Sequence, residues 1–188
     1  MSTTTRNRLE GRIGDLTLTG EPHASSVFTV IAFRLVLGGT MLFAGLGKFA
    51  VIPGGEAFNA TGYLANRDPA SPVSGLYAAM AESAMLIDAI NVIIPVTQVL
   101  IGLALIFGAF VRLAALGGGL QMAMFYLGGW EGEWLALFDS TLVYLFGFIV
   151  IAALAAGRVG GLDRWIERYE VGGVPLVERF PKLRYLLG

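Results

Sequence analysis

An all-α fold seated in a lipid bilayer is expected of this chain: an integral membrane four-helix bundle, with a long outer loop containing amphipathic helix between its first and second helices. Three observations lead there. Of the 188 residues 55% are hydrophobic and only 14% charged, with a mean hydropathy of +0.70, whereas soluble domains carry about a quarter charged residues. Four apolar stretches are separated by clusters of glycine, proline and arginine, the punctuation that ends membrane spans. The basic residues gather on alternate sides of those stretches, as orientation in a membrane requires.

Residues 1–25 contain Arg6, Arg8, Arg12, Glu10, Asp15 and Glu21 and lack the compact apolar core and small-residue cleavage site of a signal peptide. They read as a soluble amino tail. The first span covers 27–49, which as a helix would rise about 35 Å, enough for a hydrocarbon core of about 30 Å. Pro53-Gly54-Gly55 stops it, because proline lacks an amide donor and glycine carries a high entropy cost in a helix. From Glu56 to about Ile87 the chain is too polar to span, yet Phe58, Tyr63, Leu64, Leu76, Tyr77, Met80 and Met85 give it apolar faces. The spacing of Leu76, Met80 and Ala84 predicts one or two amphipathic helices lying at the membrane surface or capping the bundle.

The second span runs over 89–110, with Pro95 a kink that neighbouring helices tolerate in lipid, and Arg112 ends it. The third, 113–130, is marked by Gly117, Gly118 and Gly119, and the tight link at Arg112 makes it antiparallel to the second. A turn with Trp130 and Trp134, residues favoured at lipid headgroups, leads to the fourth span, 137–156. Residues 158–188 form an amphipathic carboxyl tail. Arg6, Arg8 and Arg12, then Arg112, then Arg158, Arg164, Arg168, Arg179, Lys182 and Arg184 fall on one side, against Lys48 and Arg67 on the other. Both termini are therefore expected at the cytoplasmic face of the cell membrane, with the Glu56 to Ile87 loop and the tryptophan turn outside.

The net charge of −1 offers nucleic acid no basic surface, so no nucleic-acid partner is expected. There is no cysteine and one histidine, which removes disulfides, thiolate metal sites and most haem and zinc schemes. Any redox cofactor is bound non-covalently or belongs to a partner. Charged groups within a span cost at least about 2.5 kcal/mol near the midplane and need partners or water. Arg34 lies about 10 Å into the first span, and Lys48, fourteen residues later, returns to nearly the same face. Either the two cations line a cleft for an anionic group or a quinone carbonyl, or Arg34 pairs with a carboxylate and Lys48 snorkels to the interface. Asn91 and Gln98 share a face of the second span with Gly102, where amides most often join helices. Asp139 opens the fourth span, as a cap or as a partner of Lys48 at the outer mouth. Gly38, Gly39, Gly45, Gly47, Gly102, Gly108 and the Gly117 to Gly119 run permit close helix approach, within one chain or between copies in a homo-oligomer.

The runs Arg34-Leu35-Val36-Leu37-Gly38 and Gly45-Leu46-Gly47-Lys48-Phe49, then Gln98-Val99-Leu100-Ile101-Gly102 with Gly108 and Arg112, then Ala156-Gly157-Arg158 with Gly161-Leu162-Asp163, resemble the signatures of the DoxX-like membrane proteins. That family includes the DoxD subunit of thiosulfate:quinone oxidoreductase. The likeness covers about Phe28 to Arg164. Many relatives have glutamate where this chain has Gln98, which can donate and accept hydrogen bonds but cannot titrate. The resemblance implies a four-helix bundle that binds quinone beside a separate soluble or membrane redox subunit. Arg34, Lys48 and Gln98 would donate to the quinone carbonyls, with Asp139 completing the polar cluster and Phe43, Phe49, Tyr126 and Phe146 lining the slot. The competing expectation is a non-catalytic membrane scaffold that recruits or anchors a partner protein.

Overall fold

A computed structural model of the chain describes residues 9–13, 16–20, 23, 25–134 and 137–188; the rest of the expected amino tail lies outside the described residues. The protein is mostly helical. A hairpin of β1 (Leu9–Ile13) and β2 (Leu16–Gly20) comes first, paired antiparallel with Leu9 opposite Gly20 and Ile13 opposite Leu16. The long helix α1 (Ser26–Lys48) follows, then the short helices α2 (Ala60–Ala65) and α3 (Ser74–Ala81), then α4 (Ala84–Phe107), α5 (Val111–Gly128) and α6 (Ser140–Ala153). Among the described residues α1 and α4 are long and apolar enough to cross a membrane.

Several boundaries differ from those expected, each for a local reason. Leu76, Met80 and Ala84 do not share one helix: Ser83 is extended and its side chain accepts from the Leu86 amide, starting α4 three residues after α3 ends. Gly108 takes a left-handed conformation at φ 66° and closes α4 before Arg112, which falls instead in the first turn of α5. A left-handed residue after the last turn is the usual way a helix stops, and glycine adopts it without steric cost. The fourth apolar stretch, 20 residues as read from sequence, holds a helix of only 14, about 21 Å long. Asp139 caps its start, and Ala155 at φ 49° turns the chain away just past its end.

The four longest helices run alternately up and down. Gly38 of α1 lies against Leu105 and Gly102 of α4, while Gly45 lies against Pro95 and Val99. A β-carbon on Gly102 would sit 2.5 Å from the Leu42 amide nitrogen, and one on Gly45 would sit 2.8 Å from the Pro95 carbonyl oxygen. These glycines bring the α1 and α4 backbones into contact. Gly39 and Gly47 do not, since nothing lies within 3.5 Å of a β-carbon placed on either. In the second pair the Phe148 ring of α6 seats directly on Gly118 of α5. Leu37, Met41, Ile101, Leu105, Val111, Phe148 and Ile151 make the common core.

The carboxyl segment, expected as an amphipathic tail, is a cap of several short elements. It contains α7 (Asp163–Arg168), a hairpin of β3 (Glu170–Val171) with β4 (Val174–Pro175), α8 (Leu176–Arg179) and a 3₁₀ turn over Pro181–Tyr185. Gly172 and Gly173, at φ 67° and 80°, make the two-residue turn of that hairpin, which calls for positive φ at both positions.

Candidate functional site

Arg34 is buried by α1 packing and points along the molecule to the end of α6. Its guanidinium donates to the carbonyls of Ala156 at 2.5 Å, Val159 at 3.0 Å and Gly160 at 3.2 Å. Those oxygens follow the last turn of α6, where carbonyls lack intrahelical partners. Beside them lies Asp163, fully buried, whose carboxylate accepts from the backbone amides of Phe110 at 2.6 Å, Val111 at 3.0 Å and Gly188 at 2.9 Å. A β-carbon on Gly108 or Gly161 would come within 2.7 Å of an Arg34 nitrogen, so both glycines make room for the guanidinium. Arg34 and Asp163 thus bind one end of the helices together, and backbone groups take up most of their hydrogen-bonding capacity.

The other expected site residues lie elsewhere. Lys48 is fourteen positions along α1, about 21 Å away; its ammonium sits 3.4 Å from the Ala44 carbonyl oxygen and 5.7 Å from the centre of the Phe58 ring. Asp139 accepts from the Leu142 amide at 2.8 Å as the cap of α6, and among the described residues neither it nor Lys48 forms an ion pair. Gln98 is buried, with no donor on its Oε1 among the described residues. Arg34, Lys48, Gln98 and Asp139 therefore do not converge into one polar cluster. Phe43, Phe49 and Phe146 face outward, and the Tyr126 hydroxyl donates to the Leu137 carbonyl. Asn91 joins elements: its Oδ1 accepts from the Ala60 amide at the start of α2.

Between α4 and α5 lies a slot of about 560 Å³, almost wholly apolar and open along one side, where Ile93, Leu100, Leu113 and Leu120 are exposed. Ile93, Leu100, Ile101 and Ala104 form one wall, Leu113, Gly117, Leu120 and Met124 the other, and Phe110 closes the end near Asp163. The far end is covered by Tyr63 and Leu64 of α2 with Tyr77 and Met80 of α3.

Two polar side chains sit on the slot walls. The Thr97 oxygen lies 2.7 Å from the Ile93 carbonyl and 3.0 Å from that of Ile94, and Gln121 Nε2 reaches it at 3.3 Å. A hydroxyl has one proton, and here it goes back to the α4 backbone, so Thr97 can only accept from Gln121. That assigns the amide orientation. Among the described residues Gln121 keeps one N–H without a partner of its own, and its Oε1 has no donor.

The cover over the slot is fastened to backbone carbonyls near the end of α5. Tyr77 donates to Met124 at 2.9 Å, Tyr63 to Phe125 at 3.4 Å, Ser71 to Leu127 at 2.7 Å and Arg67 to Gly128 at 3.3 Å. The Arg67 guanidinium also stacks 3.9 Å from the Tyr63 ring centre. Burial pushes the Tyr77 phenol up to about 12, helped by the neighbouring Tyr63 and opposed by Arg67. Tyr63 is raised for the same first reason. Both phenols hold their protons at neutral pH and serve as donors rather than bases.

Such a slot can take an elongated apolar molecule with a single polar group meeting Gln121. Among the described residues no cluster of three metal-ligating side chains is present. Thr97, Gln121, Tyr63 and Tyr77 were not expected as slot residues from sequence. Gln121 had a legible signal, a lone amide in an apolar stretch, whereas Thr97 became relevant only once it faced α5. No family model, curated protein or solved structure matches the chain.

Proposed function

We propose that the chain is a DoxX-like multi-pass protein of the cell membrane, in which α1, α4, α5 and α6 form a four-helix membrane bundle with both termini cytoplasmic. It holds an isoprenoid quinone in the α4–α5 slot and works as the quinone-interacting component of an oxidoreductase, beside a separate redox subunit. The apolar slot with one amide on its wall is the observation that carries the reading. Its volume is in the range of small-molecule sites, which are mostly apolar with a few fixed polar groups, and the spare Gln121 N–H can donate to a quinone carbonyl while the flanking Ile, Leu and Met side chains accommodate ring and tail.

The membrane part of the reading has its own support. Phe28, Phe43 and Leu116 are 73%, 63% and 70% exposed, and similar side chains cover the outside of all four helices. Water-soluble monomers rarely carry so much contiguous exposed apolar surface. With no cysteine in the chain and buried backbone groups absorbing Arg34 and Asp163, electron transfer itself falls to the partner and the bound quinone.

Organic extraction of the gently purified protein, followed by mass spectrometry, tests this. Stoichiometric quinone in wild type and its loss in Gln121→Leu is the expected result. A wild type that is empty when taken from quinone-rich membranes would overturn the quinone reading in favour of the scaffold.

A further inference from the structure

α7 is anchored where α4 ends and α5 begins. The Leu162 amide donates to Phe107, the Asp163 amide to Gly108, and the Asp163 carboxylate accepts from Phe110 and Val111. α7 therefore sits at the level where the apolar length of α4 stops. Four of its flanking positions repeat at helical spacing: Arg164 and Arg168 are four apart, and so are Trp165 and Tyr169, so each pair shares a face. All four are exposed, Trp165 by 77% and Tyr169 by 65%, and together with Glu170 they line one recess.

The charge on this face is one-sided because the two acidic residues of α7 are already engaged. Asp163 is spent on backbone amides, and Glu167 takes both Nε and Nη2 of Arg158, at 2.9 and 2.5 Å. Arg164 and Arg168 make no hydrogen bond among the described residues, and only Glu170 adds negative charge to the recess. Exposed aromatic rings beside unpaired guanidinium groups, at the level where a span ends, match the chemistry of the headgroup layer: the rings sit at the boundary of headgroup and acyl chain, and arginine binds phosphate through its planar fork.

We infer that Arg164, Trp165, Arg168 and Tyr169 form a docking site for the headgroup of an anionic phospholipid. The inference rests on the membrane reading above but not on quinone binding. The lipid phosphate bridges the two arginines, and Trp165 and Tyr169 flank the glycerol backbone. The site fixes the carboxyl cap to the leaflet that is richer in negative charge.

The full chain is reconstituted in phosphatidylcholine nanodiscs doped with phosphatidylglycerol, and co-released lipids are counted by native mass spectrometry. Wild type is expected to retain phosphatidylglycerol in preference to phosphatidylcholine. Each basic residue near an anionic surface contributes roughly a factor of five, so Arg164→Gln with Arg168→Gln is expected to lower that preference about 25-fold, with helical content by circular dichroism unchanged. An unchanged preference in the double variant overturns the inference. So does displacement of the lipid by inorganic phosphate, which would assign the arginines to a free anion. Alkaline extraction of native membranes separates the two levels: a chain that washes off overturns the membrane reading, and the inference with it, whereas a chain that stays bound leaves the lipid count to decide.

Discussion

The Asp163 carboxylate accepts the Val111 amide at 3.0 Å, so a side chain 52 positions downstream caps the start of α5. Phe110, at φ 52°, offers α5 no capping side chain of its own, and the amides at a helix start need an acceptor. Asp163→Ala leaves the amides of Phe110, Val111 and Gly188 without an acceptor inside the protein. Breaking a buried charge-assisted set of this kind costs about 3–5 kcal/mol, and Asp163→Asn, which keeps one acceptor oxygen, should fall between. Thermal unfolding in detergent measures both, and a wild-type midpoint for Asp163→Ala would show that the cap contributes nothing.

The contact of α1 with α4 is set by glycine. Gly45→Ala and Gly102→Ala each drive a methyl against backbone atoms, at Gly45 with the Val99 side chain beside them, and the two helices must part, at about 1–3 kcal/mol or more. Gly39→Ala meets open space and should be neutral or stabilising by about 0.5–1 kcal/mol, since alanine is the better helix former. Equal losses at all three positions would mean that helix approach is not what these glycines provide.

Arg34 and Lys48 should separate cleanly. Arg34→Met removes the side-chain donor from three carbonyls, of which Ala156 keeps the Val159 amide, and is expected to cost about 2–4 kcal/mol. Arg34→Lys recovers part of this, because an ammonium lacks the planar fork that reaches several oxygens. Lys48→Ala gives up a long ring contact at a half-buried position and should stay within about 1 kcal/mol. Matching losses for Arg34→Met and Lys48→Ala, read from chemical unfolding, would contradict the hydrogen-bond geometry.

Alkaline pH tests the cover over the slot. An unfolded tyrosine titrates near 10, while Tyr77 in the folded protein titrates at about 12. Between those values the unfolded chain holds fewer protons than the folded one, so stability falls as pH rises through the window and is unaffected below it. Tyr77→Phe should flatten the fall, leaving a remainder from Tyr63, whose phenol is also raised. A slope identical to wild type would assign the alkaline loss to other groups.

Composition and punctuation made α1 legible almost to the residue, 27–49 expected against Ser26–Lys48 found, because a long apolar run ending in Pro and Gly leaves few alternatives. The loop from Glu56 to Ile87 was legible as a stretch of short helix but not in its break at Ser83, where a capping side chain overrides the apolar spacing. The β1–β2 hairpin was passed over, although Gly14-Asp15 between two alternating runs is a hairpin signal. In the site, one helical step of about 100° separates Thr97, on the slot wall, from Gln98, which is not part of the lining. Sequence spacing fixes relative direction on one helix, but which direction faces α5 is decided by the glycines that seat α4 on α1. Arg34 was rightly singled out as a cation needing a partner; the partners are carbonyls, which every sequence has everywhere.

The reach of Arg34 across 122 positions to Ala156 also sets an order of events during synthesis. When α1 is complete, none of the three oxygens that receive its guanidinium has yet been made. At roughly 5–20 residues per second, translation supplies them only after an interval of several seconds to tens of seconds. Through that time α1 carries an unsatisfied cation, so the first helix to be made is among the last to be satisfied, and completion of the bundle coincides with arrival of its carboxyl end.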